Sequence, residues 1–338
     1  MSWIRCFSVL PQWIQFEDRP PKPTVVVAGY GWAAHSFIQN LSYQKYNVKV
    51  ISERPCRLNQ NLMIGNLTPS YTPAVTDIIQ DTCLTVDKEK KIVHGGKNNY
   101  AYDYLVVATG SEVNDFGIPG VQEHCLKCKT DTDIRKIREN CPKDSVILGA
   151  GPTGLELACA LHKQGVKSIR VIEAAPTILP GFSEQFRNYV YQHLIAKGVK
   201  LILDNPITEI KRDKVITKKS TIPVVANEIV IWTCGVKPVA FARSLDGKVN
   251  EHFQHSPFVY VIGDACRNQG PPTAQNASQQ GSFLAAYFNS QFTRKEPYKF
   301  NELGRCLDLG DGYLMEIYGF MFFLPITDMT EIIMNMMM

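Results

Sequence analysis

No run of about 18 apolar residues occurs in the 338-residue chain, so no membrane-spanning helix is predicted. There is no basic block and no aromatic platform motif, and the formal net charge is only +4. A nucleic-acid partner is therefore not expected. The seven histidines show no metal-ligand spacing, so no metal site is expected. Ten cysteines are present, but they are scattered and no secretory signal precedes them. Reduced thiols in an intracellular compartment are the simplest reading. Only Cys125 and Cys128 have a suggestive spacing. A hydrophobic content of 45% with 20% charged residues suits globular domains, and the length allows two of them plus an appendage.

Residues 1–23 differ in character. They are apolar and aromatic at Trp3, Phe7, Trp13 and Phe16, then acidic and proline-rich. A mitochondrial targeting segment is one reading. Glu17 and Asp18, with arginines only at Arg5 and Arg19, argue against it. An N-terminal arm packed on the body is the other reading.

One pattern then occurs twice. Thr24 to Ala28 is a β-branched run suited to a buried parallel strand. Gly29-Tyr30-Gly31-Trp32-Ala33-Ala34 follows, then a helical stretch to about Tyr43, then a strand from Val48 to Ile51 that leads to Glu53. The second copy has a strand at Ser145 to Leu148 and the loop Gly149-Ala150-Gly151-Pro152-Thr153-Gly154. A helix to about Lys163 follows, then a strand from Ile169 to Ile172 that ends at Glu173. The interval from Gly29 to Glu53 equals that from Gly149 to Glu173.

Each position has a physical task. The first glycine makes the strand-to-helix turn, and the second lets the backbone approach a pyrophosphate. The third allows close helix–strand packing, where alanine is tolerated, as at Ala34. Free N–H groups and the positive dipole end at the helix start favour the phosphates. The acid accepts hydrogen bonds from ribose hydroxyls. A carboxylate at Glu173 would repel a 2′-phosphate, so the second site is predicted to prefer NADH over NADPH. At the first site Arg54 beside Glu53 suits a phosphorylated ribose, and FAD, whose adenosine ribose is unphosphorylated, fits as well.

Two further strands carry the reading on. Tyr104 to Val107 runs into Ala108-Thr109-Gly110, and Val259 to Ile262 runs into Gly263-Asp264. With the two glycine loops they resemble the FAD/NAD(P)-linked reductases, which have two Rossmann-like domains. Within that group the chain resembles the type II NADH:quinone oxidoreductases. Four stretches carry this resemblance: Asp115 to Val121, Gly151 to Ala158, Glu173 to Phe182, and Pro271 to Gln279.

The resemblance implies an α/β fold with an NADH domain inserted into a split FAD domain and a short C-terminal appendage. The FAD domain would take residues 24–115 and 250–300, the NADH domain 116–249, and the appendage 301–338. Gly29, Gly31, Ala34, Glu53, Thr109, Gly110, Asp264 and Ala274 would hold FAD, with Asp264 on the ribitol. Gly149, Gly151, Gly154, Glu173 and Gly235 would hold NADH. Hydride would pass from NADH to the flavin, and two electrons from there to a quinone.

Ala274 onward reads as a helix capped by Thr273, which places Gln275 and Gln279 on one face. The family's matching glutamines line the quinone pocket, and the glutamate matching Glu156 sits near the nicotinamide and the flavin. Gln275, Gln279 and Glu156 are therefore the expected catalytic residues.

Other classes stay open. Cys125 and Cys128 suit a thiol reductase, and a sulfide:quinone oxidoreductase is a further rival. A slow redox-sensing protein holding FAD and NADH, like apoptosis-inducing factor, is a third. Residues 313–338 are apolar enough to touch a bilayer surface or to pair two copies as a homodimer. A tail that merely closes the flavin domain is the alternative. An intracellular location follows, at the inner mitochondrial membrane or in the cytoplasm. The segment from Arg54 to Asp81 reads as a loop marked by Gly65, Pro69 and Pro73.

Overall fold

The computed structural model describes residues 21–140 and 143–325. The readings on 1–20 and 326–338 lie outside the described residues, as do Cys6 and Cys141. The helices of seven or more residues are α1 (Trp32–Asn40), α2 (Gln60–Asn66), α3 (Asp131–Glu139), α4 (Pro152–Lys163), α5 (Glu184–Ala196) and α6 (Ala274–Asn289). No helix among the described residues is long and apolar enough to cross a membrane.

Each valine- and isoleucine-rich run forms an inner strand of a sheet. In the first unit Thr24–Ala28 lies between Asn47–Ser52 and Tyr104–Val107, parallel to both. Val25, Val26 and Val27 are fully buried there. Ile78–Gln80 extends one edge, and Val259–Val261 with Gln254–Ser256 extends the other. The second unit repeats the plan. Asp144–Leu148 lies between Ser168–Ile172 and Glu228–Trp232, again all parallel. A run apolar on both faces needs cover on both. Antiparallel three-stranded sheets supply part of it, through Val93 and Tyr100 in the first unit and Ile210, Val215 and Ile222 in the second.

The chain passes between the units along two paired strands, Ser111–Val113 outward and Val236–Pro238 on the return. Phe241, Ala242, Leu245 and Val249 then pack in the core of the first unit. The sequence places that return near residue 250. The packing shifts it earlier, because those four apolar side chains are buried against the first sheet.

In the first unit α1 and α6 lie against each other. A Cβ on Gly281 would overlap the Ala33 carbonyl oxygen and sit 2.8 Å from the Phe37 nitrogen. The glycine thus sets the interhelical approach. Phe288 fills the layer beside it, with ring centroids 5.4 Å from Phe37 and 5.0 Å from Tyr260. Gly281→Ala is expected to destabilise the fold. Overpacking costs about 1–3 kcal/mol, against roughly 1 kcal/mol gained in helix propensity. A melting temperature at or above that of the parent would show that the two helices do not meet at Gly281.

The segment 54–81 is not the plain loop read from the sequence. It contains the strand Cys56–Leu58, helix α2 and the strand Tyr71–Pro73. Gly65 lies inside α2, where a Cβ would overlap Asp308 Oδ2. The glycine serves close packing rather than a turn, a distinction that depends on residues remote in sequence. Met63, Ile64 and Leu67 join the core of the second unit, with Leu307, Leu309 and Leu314 from the C-terminal strands. Those strands, Arg305–Asp308, Gly312–Ile317 and Phe320–Pro325, form an antiparallel sheet. Tyr318, Phe320, Phe322 and Phe323 remain exposed on it.

Candidate functional site

A cleft of about 1450 Å³ lies between the two units and is lined by residues of both glycine loops. It opens at the carboxyl ends of the parallel strands, where open α/β sheets bind their ligands. Gly29 has φ +94°, and a Cβ there would come within 2.6 Å of the Ala108 carbonyl oxygen. Gly149 has φ +106° and plays the same part in the second unit. Gly31 and Gly151 are the N-caps of α1 and α4, and the space beside each is open. A phosphate can therefore approach free backbone N–H groups at two helix starts. Gly154 is buried, and a Cβ on it would overlap the Gly149 carbonyl oxygen. Ala34, its counterpart in the first unit, is a fully buried residue of α1.

Of the residues expected in the first site, Gly29, Gly31, Glu53, Thr109, Gly110, Asp264 and Ala274 line the cleft. The Thr109 hydroxyl is buried with no hydrogen-bond partner, a group suited to a bound ligand. These features fit a dinucleotide. Of the second set, Gly151 and Gly235 line the cleft, whereas Gly149, Gly154 and Glu173 do not. Glu173 accepts hydrogen bonds from the Ala150 nitrogen (2.6 Å) and the Ala175 nitrogen (2.8 Å). Its carboxylate thus braces the glycine loop directly.

Asp264 lies on a 3-10 turn, Gly263–Ala265, and accepts a 2.6 Å hydrogen bond from Ser111. Lys129 lies 3.7 Å from the same carboxylate. The turn is held from behind by Gln280, which is 1% exposed. It accepts from the Gly263 nitrogen at 2.7 Å and donates to the Gln269 carbonyl at 2.8 Å. Sequence reasoning missed Lys129 and Gln280. Spacing gives no sign of Lys129. Gln280 shares a helix with Gln275 and Gln279, but only burial reveals its part.

Helix α6 begins where expected, with the Thr273 hydroxyl accepting from the Asn276 nitrogen at 3.2 Å. The two glutamines separate in their roles. Gln275 lines the cleft and accepts from the Leu303 nitrogen at 3.1 Å. Gln279 does not line it. Its amide donates to the Asn301 carbonyl at 2.7 Å and accepts from the Asn301 nitrogen at 3.0 Å. One face of α6 thereby secures the strand-free stretch around 301–303.

Glu156, on α4, lines the cleft and is 6% exposed. Burial, and then the nearby Asp308 carboxylate, push its pKa up to about 8. The Asp308 nitrogen donates to Glu156 Oε1 at 3.3 Å, which acts in the opposite sense. Cys125 and Cys128 are both free thiols, and Cys128 is buried. Burial first, then nearby carboxylates, push both thiols up to about 12. A reactive thiol needs the opposite shift, so the geometry gives no support to dithiol chemistry here.

Comparison with known proteins agrees with this geometry. The family model described as pyridine nucleotide-disulphide oxidoreductase matches residues 23–281. A probable mitochondrial NADH-ubiquinone oxidoreductase of Schizosaccharomyces pombe is 26% identical over 80% of this chain and 63% of its own. An external alternative NADH-ubiquinone oxidoreductase of Yarrowia lipolytica, also mitochondrial, is 28% identical over 81% of this chain and 60% of its own. The chain thus spans about six-tenths of the length of these relatives. The solved structure of NDH2 from Plasmodium falciparum in complex with NADH superposes with a TM-score of 0.79 at 16% identity. That match covers 94% of this chain and 95% of the other. With more than half its length matched by the family model and both glycine loops on one cleft, the chain belongs to the pyridine nucleotide-disulphide oxidoreductase family.

Proposed function

We propose that the protein is an FAD-dependent NADH:quinone oxidoreductase. The observation that carries the reading is the single cleft shared by two dinucleotide-type helix starts, Gly31 and Gly151, with Glu156 and Gln275 on its walls. Its volume exceeds the roughly 300–1,000 Å³ of an ordinary one-ligand pocket. When bound, FAD would accept hydride from NADH and deliver two electrons to the quinone.

The protein's own part is to bind, orient and shield. The first loop and Glu53 take the flavin's ADP half, and Asp264 takes the ribitol. Ser111 and Lys129 hold the Asp264 carboxylate in place. The second loop takes NADH, and Glu173, which braces that loop, sets the charge that a 2′-phosphate would meet. Glu156 presents a neutral carboxyl at neutral pH, and Gln275 presents an uncharged amide. Both suit contact with a neutral acceptor. Gln279 contributes indirectly, by holding Asn301.

The names of the relatives support a mitochondrial location and ubiquinone as acceptor. The exposed face at Tyr318, Phe320, Phe322 and Phe323 supports contact with a bilayer surface. A homodimer would compete for the same face.

Anaerobic visible spectra test the reading. Flavin bands should be present, bleach with NADH, and return when a short-chain ubiquinone is added. Absence of flavin bands would sink it. Fast bleaching with slow return on ubiquinone would instead favour the redox-sensing class. Glu173→Ala should lower the preference for NADH over NADPH about tenfold or more, because the carboxylate that repels a 2′-phosphate is gone. Bleaching rates with the two nucleotides measure this, and an unchanged ratio would remove Glu173 as the discriminator.

A further inference from the structure

Arg57 lies on the strand Cys56–Leu58 and is 1% exposed. Its Nη2 donates to the Thr72 hydroxyl at 3.2 Å, while Nε and Nη1 have no partner. An arginine stays protonated in a protein, so a full positive charge is buried here. Among the described residues no carboxylate pairs with it. The ionisable groups that face it are Tyr30 and His35. Neither supplies an anion at neutral pH. His35 is held down to about 4, by burial first and by Arg57 second. The Tyr30 hydroxyl is pushed up by burial. Leaving a buried charge without a partner is expensive, at about 3–5 kcal/mol in measured cases.

The location of this charge is informative. The guanidinium carbon lies 3.7 Å from the centroid of the Trp32 ring. Trp32 is the first residue of α1 and lines the cleft. Cys56 and Leu58 also line the cleft, whereas Arg57, between them, faces the other way. The charge therefore sits behind the phosphate-binding turn, screened from bulk water, where its field is felt most strongly.

We propose that Arg57 is the buried counter-charge for the pyrophosphate of the dinucleotide bound at the start of α1, and that it acts through Trp32 as a positioning residue. The proposal rests on the first glycine loop holding FAD. The anion at the helix start supplies the negative charge that no side chain supplies. The planar guanidinium stacked on the indole also holds Trp32 in place beside the turn.

The test compares full-length wild type, Arg57→Met and Arg57→Lys. ADP and adenosine are titrated into each after removal of flavin, and thermal unfolding is followed with and without FAD. Arg57→Met should weaken FAD and ADP about tenfold and leave adenosine nearly unchanged. Without FAD it should melt at or above the wild-type temperature, because an unpaired buried charge has been removed. Arg57→Lys, which keeps the charge but loses the planar stack, should retain most of the ADP preference.

Equal losses of ADP and adenosine would reduce Arg57 to a packing role and overturn the proposal. So would unchanged FAD and ADP affinity in Arg57→Met. If Arg57→Met does not fold, loss of the whole ADP preference in Arg57→Lys overturns it alone. A wild-type chain that binds neither FAD nor ADP would instead refute the assignment of the first site itself.

Discussion

Gly154→Val is expected to retain the bound flavin and to lose NADH-driven bleaching by two to three orders of magnitude. A Cβ at Gly154 would overlap the Gly149 carbonyl oxygen and sit 2.7 Å from Thr233 Oγ1. Neither neighbour can yield easily. Gly149 is held at φ +106°, and a Cβ there would be 3.0 Å from Cys234 Sγ. The Thr233 hydroxyl donates to the Leu148 carbonyl at 2.7 Å. Helix α4 must therefore move away from its strand, and the N–H groups at its start no longer converge on a phosphate. Hydrogen bonds to a charged group contribute about 1.5–3 kcal/mol each. Losing two of them corresponds to a factor of about a hundred or more. The first unit is untouched, so dithionite should still bleach the flavin. Rapid bleaching by NADH in Gly154→Val would show that the second loop does not carry the nucleotide. Overpacking also costs about 1–3 kcal/mol of stability, so Gly154→Ala provides a milder second variant.

Glu156→Gln is expected to remove most of a pH dependence from the protein's stability. The folded carboxyl has a pKa of about 8, against an ordinary value of 4.5, chiefly because it is buried. Below 4.5 both folded and unfolded chains hold the proton, and the group makes no difference. Between 4.5 and about 8 the unfolded chain releases a proton that the folded chain keeps. Stability therefore falls as pH rises through this window and levels off above it. The full change is on the order of a few kcal/mol, since each tenfold change in proton affinity corresponds to about 1.4 kcal/mol. Glutamine is neutral at every pH and nearly the same shape. The variant should match wild type near pH 4, below the 4.5 of the ordinary carboxyl, and melt several degrees higher at about pH 8.5. Asp308, also raised by burial, should leave a smaller residual slope in the variant. Melting curves for the two proteins that stay parallel from pH 5 to 9 would show that Glu156 ionises normally in the folded state.

The parts of the site that were legible in the sequence are those set by short-range geometry. Gly29 and Gly149 adopt positive φ because a strand must turn into a helix within two residues. Thr273 caps α6 because its hydroxyl reaches an N–H three residues on. The β-branched runs at Thr24–Ala28 and Asp144–Leu148 form inner strands because they are apolar on both faces. Glu53 and Glu173 follow from the length of one strand–helix–strand unit.

Other features were not legible, because burial and partnership depend on residues far away in the chain. The spacing of Cys125 and Cys128 resembles a dithiol motif, yet the fold buries Cys128 and raises both thiols. Gln275 and Gln279 share a helix face, but segment 301–303 decides which of them meets the cleft. Gly65 looks like a turn residue until Asp308, from the last sheet, is seen against it. Arg57 carries no sequence signal at all; its meaning comes from having no acid beside it.

Two glycine-rich strand-to-helix turns, the acids one unit later and the α/β class were thus set by the sequence alone, since each is encoded within a few tens of consecutive residues. Tertiary structure alone decided that both turns face one cleft, that Glu156 is buried beside Asp308, and that the Arg57 charge lies behind the first turn. Desolvation and close approach are properties of packed surfaces, and packing joins residues that no local pattern connects.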